Sequence, residues 1–316
     1  MIKIFKLACL VSVSVLLLSA FLIENVVLVR ESKKPSISFT FDDGATQDIG
    51  PYKLDIWNQF ILDHLKAHHL KAILFSTGYN KTTPEGKYIL SSWNDAGHKI
   101  ANHTFTHPNF NDKKTTLGDF ESELMLNDSI IRPYSNYYPQ FRFPYLKEGN
   151  TSEKITGFRR ILQEKGYKIG HVTVDASDWY INGRLVKRIK ENPNADLAGF
   201  KKFYLDHLLS RATYYEKLSG KLGYEGIHHV ILLHHNLAAA LFLGDLIQHF
   251  KNNGWLVTDA DLAYEDPIYS NFPTNVPAGE SLIWALAKQS GKFEGTLRYP
   301  AEDGEYEKPL MDKLGL

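Results

Sequence analysis

With 316 residues, 43% of them hydrophobic and 23% charged, the chain has the apolar material for a large core and is not a disordered polyelectrolyte. Its 36 Lys and Arg balance 36 Asp and Glu, so no basic field exists to hold a polyanion, and nucleic-acid binding is excluded as a first reading. A single cysteine, Cys9, rules out an intrachain disulfide and a thiolate cluster, which leaves nitrogen and oxygen ligands for any metal.

The amino terminus carries Lys3 and Lys6 and then runs almost without a polar side chain over 7–23, with the small residues Ser19 and Ala20 near its end. This layout predicts an export signal, or an uncleaved membrane anchor, over 1–30, and so a periplasmic, envelope or extracellular location. Beyond it, β-rich runs at 37–41, 72–77, 99–101, 140–143, 168–174, 229–233 and 255–257 alternate with amphipathic stretches. In those stretches Leu54, Trp57, Ile61 and Leu65 recur at helical spacing, as do Phe120, Leu124 and Ile131, then Ile155, Phe158, Ile161 and Leu162. Strands alternating with helices require parallel pairing with right-handed crossovers, and about seven such units fit an α/β barrel over 31–266, closed or nearly so. Within it, 184–226 reads as a long helical insertion, broken by Pro193 and Asn194. The remainder, 267–316, reads as a C-terminal extension packed on the barrel, with one helix near 281–288. Chemistry in such barrels collects at the carboxyl ends of the strands.

Five runs there carry chemistry. Thr40-Phe41-Asp42-Asp43-Gly44 ends a strand in adjacent carboxylates, so that one acid can hold a metal while its neighbour reaches a water; alone, Asp-Asp-Gly is also a routine turn. In His103-Thr104-Phe105-Thr106-His107 the i,i+4 spacing within one helical turn would present two imidazoles to one cation, although two surface histidines would read the same way. With Asp43 they make a His₂-Asp set that leaves positions open for water and substrate. Arg142-Phe143-Pro144-Tyr145 supplies a partly buried arginine that needs a carboxylate, for which Asp42 is available; an ordinary salt bridge beside a turn is the plain alternative. Asp175-Ala176-Ser177-Asp178-Trp179 and Leu232-Leu233-His234 close two further strands, and a histidine so placed is either a satisfied core residue or, with an aspartate, a held proton donor.

Together, in this order and at successive strand ends, the five runs resemble the polysaccharide deacetylase family, carbohydrate esterase family 4 or NodB homology domain, over about 36–260. The resemblance implies a distorted (β/α) barrel and metal-dependent removal of acetyl groups from a carbohydrate. On the matching positions it implies Asp43, His103 and His107 as ligands of one divalent ion, with zinc favoured and cobalt, nickel or manganese fitting similar sites. It further implies Asp42 as base tuned by Arg142, the backbone N–H of Tyr145 as donor to the acyl oxygen, and His234 as acid oriented by Asp178. Trp179 and Leu232 would wall the acetyl methyl, with Pro144 stiffening the turn before Tyr145. The implied partner is an acetylated carbohydrate, most directly an amino-sugar polymer such as a chitin-like or peptidoglycan glycan. O-acetyl esterase chemistry on xylan or a similar polysaccharide, and non-catalytic sugar binding by the same fold, are the rival expectations. A serine hydrolase lacks support because no GxSxG elbow is present. Two departures from relatives stand out: His235 and Asn236 follow the expected acid, where aspartate is frequent, and the 184–226 region would reshape the groove. His235 reads as a strand-end histidine in preference to a substrate contact.

Overall fold

Strand β1 (Ser36–Asp43) alternates strictly, and the alternation sorts its side chains between two sides of the sheet. Ile37, Phe39 and Phe41 are at most 2% exposed and join the core beneath the surrounding helices, while Ser38, Thr40 and Asp42 face the barrel interior. The structure, a computed structural model, describes residues 34–297 and 304–316, so the signal or anchor expected over 1–30 lies outside the described residues. Among the described residues no helix is long and apolar enough to cross a membrane.

After β1 come α1 (Leu54–Ala67), β2 (Ile73–Ser76), α2 (Pro84–Asp95), β3 (Lys99–Asn102), α3 (Leu117–Ile131) and β4 (Tyr137–Phe141). The short β5 (Lys147–Gly149) precedes α4 (Ser152–Glu164), β6 (Lys168–Ile169), α5 (Asp178–Glu191), α6 (Ala198–Lys221) and β7 (His228–His234). The chain ends through α7 (Leu237–Asn252), β8 (Leu256–Val257), α8 (Ala260–Ala263), β9 (Ala278–Gly279), α9 (Leu282–Ser290) and α10 (Glu307–Leu314). A seven-stranded parallel sheet in the order β6-β4-β3-β2-β1-β7, with β8 beside the start of β1, curls into the expected distorted barrel.

Register sets the ends of β1, β2, β3, β4 and β7 at one height. Asp42 lies opposite His234, Asp43 opposite Ser76, Ser76 opposite Asn102 and Asn102 opposite Phe141. The helical spacings behave as read: Trp57, Ile61 and Leu65 of α1 are fully buried, and Phe120 of α3 meets Phe158 of α4 at 4.7 Å between ring centres. These rings join Phe110, Phe141 and Phe143 in an aromatic cluster that anchors α3 and α4 to β4.

Two expectations change. The run 168–174 does not form one strand, because β6 ends at Ile169 and the chain then turns inward past Phe75 at Gly170. A Cβ on Gly170 would stand 2.5 Å from the Phe75 ring, so only glycine passes there. The chain rejoins the sheet by a single parallel bridge from Val174 to Ile231, which leaves a seam between β6 and β7. Second, the boundary at Arg184 falls inside α5, and the long α6 buries Phe200, Tyr204, Leu208 and Tyr215 in the same core as α7 and β7. The C-terminal part joins the same core through Leu282 and Ile283 of α9, and β9 pairs with β5.

Candidate metal and catalytic site

The end of β1 turns on two consecutive left-handed residues, Asp43 at φ 77° and Gly44 at φ 72°, a conformation that aspartate tolerates and glycine adopts freely. The turn swings the Asp43 carboxylate out of the strand while Asp42 stays in the interior, 2% exposed. Across the sheet, His103 and His107 are brought together by a loop and not by the helical turn expected from their spacing, for Thr104 and His107 both have positive φ. Side chains replace the helical ladder. Asn102 Oδ1 accepts from the Thr104 N–H at 3.0 Å, Thr104 Oγ1 accepts from the His107 N–H at 3.1 Å, and Glu123 of α3 takes both the N–H and the hydroxyl of Thr106.

His103 Nδ1 lies 2.8 Å from the Arg142 carbonyl oxygen, which can only accept, so this nitrogen carries the proton and the Nε2 lone pair faces outward. That lone pair meets His107 Nε2 at 3.2 Å, with Asp43 Oδ1 3.8 Å and 3.6 Å from the two nitrogens. The three ligand atoms lie within 4.8 Å of one another. Burial pushes both imidazoles down to about 4, so at neutral pH they are uncharged donors. Burial opposes the Asp43 charge, yet His234 foremost, with the two imidazoles and Lys81, holds its carboxyl below the usual range. Two neutral nitrogens facing each other across 3.2 Å beside a carboxylate fit a divalent cation, which satisfies all three at once.

Asp42 stands just behind this set, its Oδ2 3.7 Å from His103 Nε2 and its Oδ1 2.5 Å from Arg142 Nη1. Burial raises its pKa in spite of the guanidinium. Arg142 is 1% exposed and fully engaged: Nε donates to the Gly170 carbonyl, Nη1 also to Thr40 Oγ1, and Nη2 to the Tyr264 hydroxyl. Its face rests on the Phe75 ring at 3.8 Å.

Opposite Asp42, His234 Nδ1 is 2.6 Å from Asp178 Oδ1, and its backbone N–H donates to Asp178 Oδ2 at 2.9 Å. Asp178 is fully buried at the start of α5, and Asn236 Nδ2 also donates to its Oδ2 at 2.8 Å. Burial alone would lower the His234 pKa; the charge and hydrogen bond of Asp178, helped by Asp43 and Asp42, push it up to about 10. His235 turns the other way, fully buried against Trp57 with its Nε2 2.9 Å from Asn58 Oδ1, and is therefore a packing residue. Pro144 opens a 3-10 turn over Pro144–Leu146 in which Tyr145 has φ 56°, its ring edge-on to His107 at 4.5 Å. Leu232 lies two residues before His234 on the same face of β7, and Trp179, 39% exposed, follows Asp178.

Sequence reasoning missed Glu123, Asn236, Thr40 and Tyr264. Glu123 and Tyr264 lie outside the strand-end motifs, while Thr40 and Asn236 lie in or beside them but received no role; only the general need of a buried guanidinium for several acceptors signalled that Arg142 must have partners beyond Asp42. Glu123→Ala should loosen the His103–His107 loop and weaken metal affinity by about tenfold, the low end for residues that orient ligands; a competition titration with a chromogenic chelator measures it.

The polysaccharide deacetylase family profile matches residues 29–170. A peptidoglycan-N-acetylglucosamine deacetylase of Bacillus cereus is 29% identical over 147 residues, 46% of this chain and 47% of that protein. A chitooligosaccharide deacetylase of Sinorhizobium fredii is 35% identical over 149 residues, 46% of this chain and 60% of that protein. The chain thus spans about half the length of the curated relatives it matches. In fold, it resembles a crystal structure of a peptidoglycan N-acetylglucosamine deacetylase at TM-score 0.51 and 21% identity, covering 74% of this chain and 90% of that one. The matched segment reaches from β1 to β6 and contains Asp43, His103 and His107, whose ligand atoms converge, so over that segment this chain is similar to the polysaccharide deacetylase family.

Proposed function

We propose that this protein is an exported, metal-dependent N-deacetylase of an amino-sugar glycan, peptidoglycan or chitin-like. The observation that carries the reading is the flanking of one three-ligand set by an acid and a base in direct strand register, Asp42 opposite His234. Each has its own fixed partner, Arg142 and Asp178. Amide hydrolysis needs this division, because a strong nucleophile must form while a poor leaving group takes a proton.

In this reading a divalent ion, zinc first among the candidates, is held by Asp43, His103 and His107 and supplies Lewis-acid stabilisation of the acyl oxygen and acidification of water. Asp42 accepts the proton of the attacking water at Oδ2, while Arg142 keeps Oδ1 occupied and the carboxylate oriented. The Tyr145 N–H donates to the acyl oxygen as negative charge develops there. His234, its Nδ1 held by Asp178, gives its Nε2 proton to the departing nitrogen. Trp179 and Leu232 wall the acetyl methyl.

Chelator-treated protein should release no acetate from a panel of N- and O-acetylated glycans, and zinc, cobalt, nickel or manganese restored in turn should return activity on an N-acetylated one. No release from any glycan with any ion would overturn the reading; release from O-acetyl glycans alone would replace it with the esterase alternative. His234→Ala should slow amide cleavage at least about tenfold more than cleavage of an aryl acetate, whose leaving group needs no acid. Equal losses would remove His234 from that role.

A further inference from the structure

Away from the metal set, the seam of the barrel holds a cavity of about 690 Å³, inside the roughly 300–1,000 Å³ range of ligand sites. It lies between β6, α4 and the segment 264–272, and none of the metal-binding or proton-transfer residues lines it. Tyr264 and Phe272 present aromatic rings there, Phe272 being 53% exposed. Arg159, Arg160 and Lys168 also line it, and no carboxylate does. Glu148 pairs with Arg159 and Arg160 lies 3.8 Å from Glu164, but Lys168 has no ion pair among the described residues. Gln140 enters from β4, 2% exposed, and its Oε1 is buried with no hydrogen-bond partner among the described residues. Nearly all buried amides have partners, so an unmatched one on a cavity wall marks a place where a ligand's polar groups are expected.

The exposed Phe272 ring, beside the half-buried Tyr264, suits the C–H face of a sugar ring, an unmatched amide suits its hydroxyl or acetamido groups, and an unbalanced basic rim suits an anion. We propose that this cavity is a second saccharide site, taking a sugar ring that bears a carboxylate or a phosphate. It goes beyond the deacetylase reading and does not depend on it.

Calorimetric titration of the full-length protein with glucuronic acid, glucose 6-phosphate, glucose and inorganic phosphate tests it. At least one anionic sugar should bind saturably and tenfold or more tighter than either glucose or phosphate, and which of the two binds identifies the anion. Lys168→Glu and Phe272→Ala, both at surface positions, should each weaken that binding at least fivefold without changing acetate release from a neutral glycan. His103→Ala should leave the binding unchanged, which separates this site from the metal set and from any failure of deacetylation. Absence of saturable binding, equal binding of glucose or of free phosphate, or loss of binding in His103→Ala would overturn the proposal.

Discussion

His103→Ala is expected to lower acetate release by about a thousandfold or more, because removing one of three ligands forfeits several kcal/mol of charge stabilisation at about 1.36 kcal/mol per tenfold in rate. The position offers no substitute. His103 is 2% exposed, its Nδ1 is committed to the Arg142 carbonyl, and its Nε2 is the point to which both His107 and the two aspartates converge. Metal content measured beside activity decides the interpretation. Loss of both together supports the ligand role, whereas full activity in a protein that binds no metal would refute it. Urea unfolding of the same variant should show a stability loss of about 1–3 kcal/mol, since the buried Arg142 carbonyl loses its donor.

The second large effect is expected at Asp178. Its carboxylate receives three bonds, two from His234 and one from Asn236, and it is what drives the His234 pKa up to about 10 against burial. A general acid works only while protonated, so activity should fall as pH rises through its pKa. Asp178→Asn removes the charge and lets burial dominate, so the His234 pKa drops and the alkaline limb of the pH–rate profile moves to lower pH. At neutral pH the rate should fall about 10²- to 10³-fold, within the range for loss of general acid catalysis. A rate loss with an unmoved alkaline limb would mean that Asp178 only packs the site. The aspartate also stabilises the charged His234 form in the fold. That contribution is complete below the unfolded pKa near 6.5 and disappears as pH climbs through about 10.

Much of this arrangement was legible in the residues. β1 could be read because Ile37, Phe39 and Phe41 alternate with polar side chains, and the strand-end motifs could be read because parallel register brings all carboxyl ends to one rim. The loop carrying His103 and His107 was misread as a helical turn. Its geometry depends on Glu123, distant in sequence, capturing Thr106, and on Thr104 and His107 accepting positive φ, which spacing does not reveal. The run 168–174 likewise looked like one strand, since its β-rich composition gave no sign that Phe75 would crowd Gly170. Tyr264 and Asn236 were missed for the same reason, as each serves a partner far from it along the chain or outside any motif.

Because Asp42 and His234 sit opposite each other on neighbouring strands, the gap between their backbones is fixed by the interstrand spacing of about 4.8 Å and not by any connecting segment. Lengthening or resculpting the rim connections would therefore reshape the groove above the site while these two side chains keep their separation, which gives evolution and protein engineers a dial for ligand choice that leaves the strand-borne pair untouched.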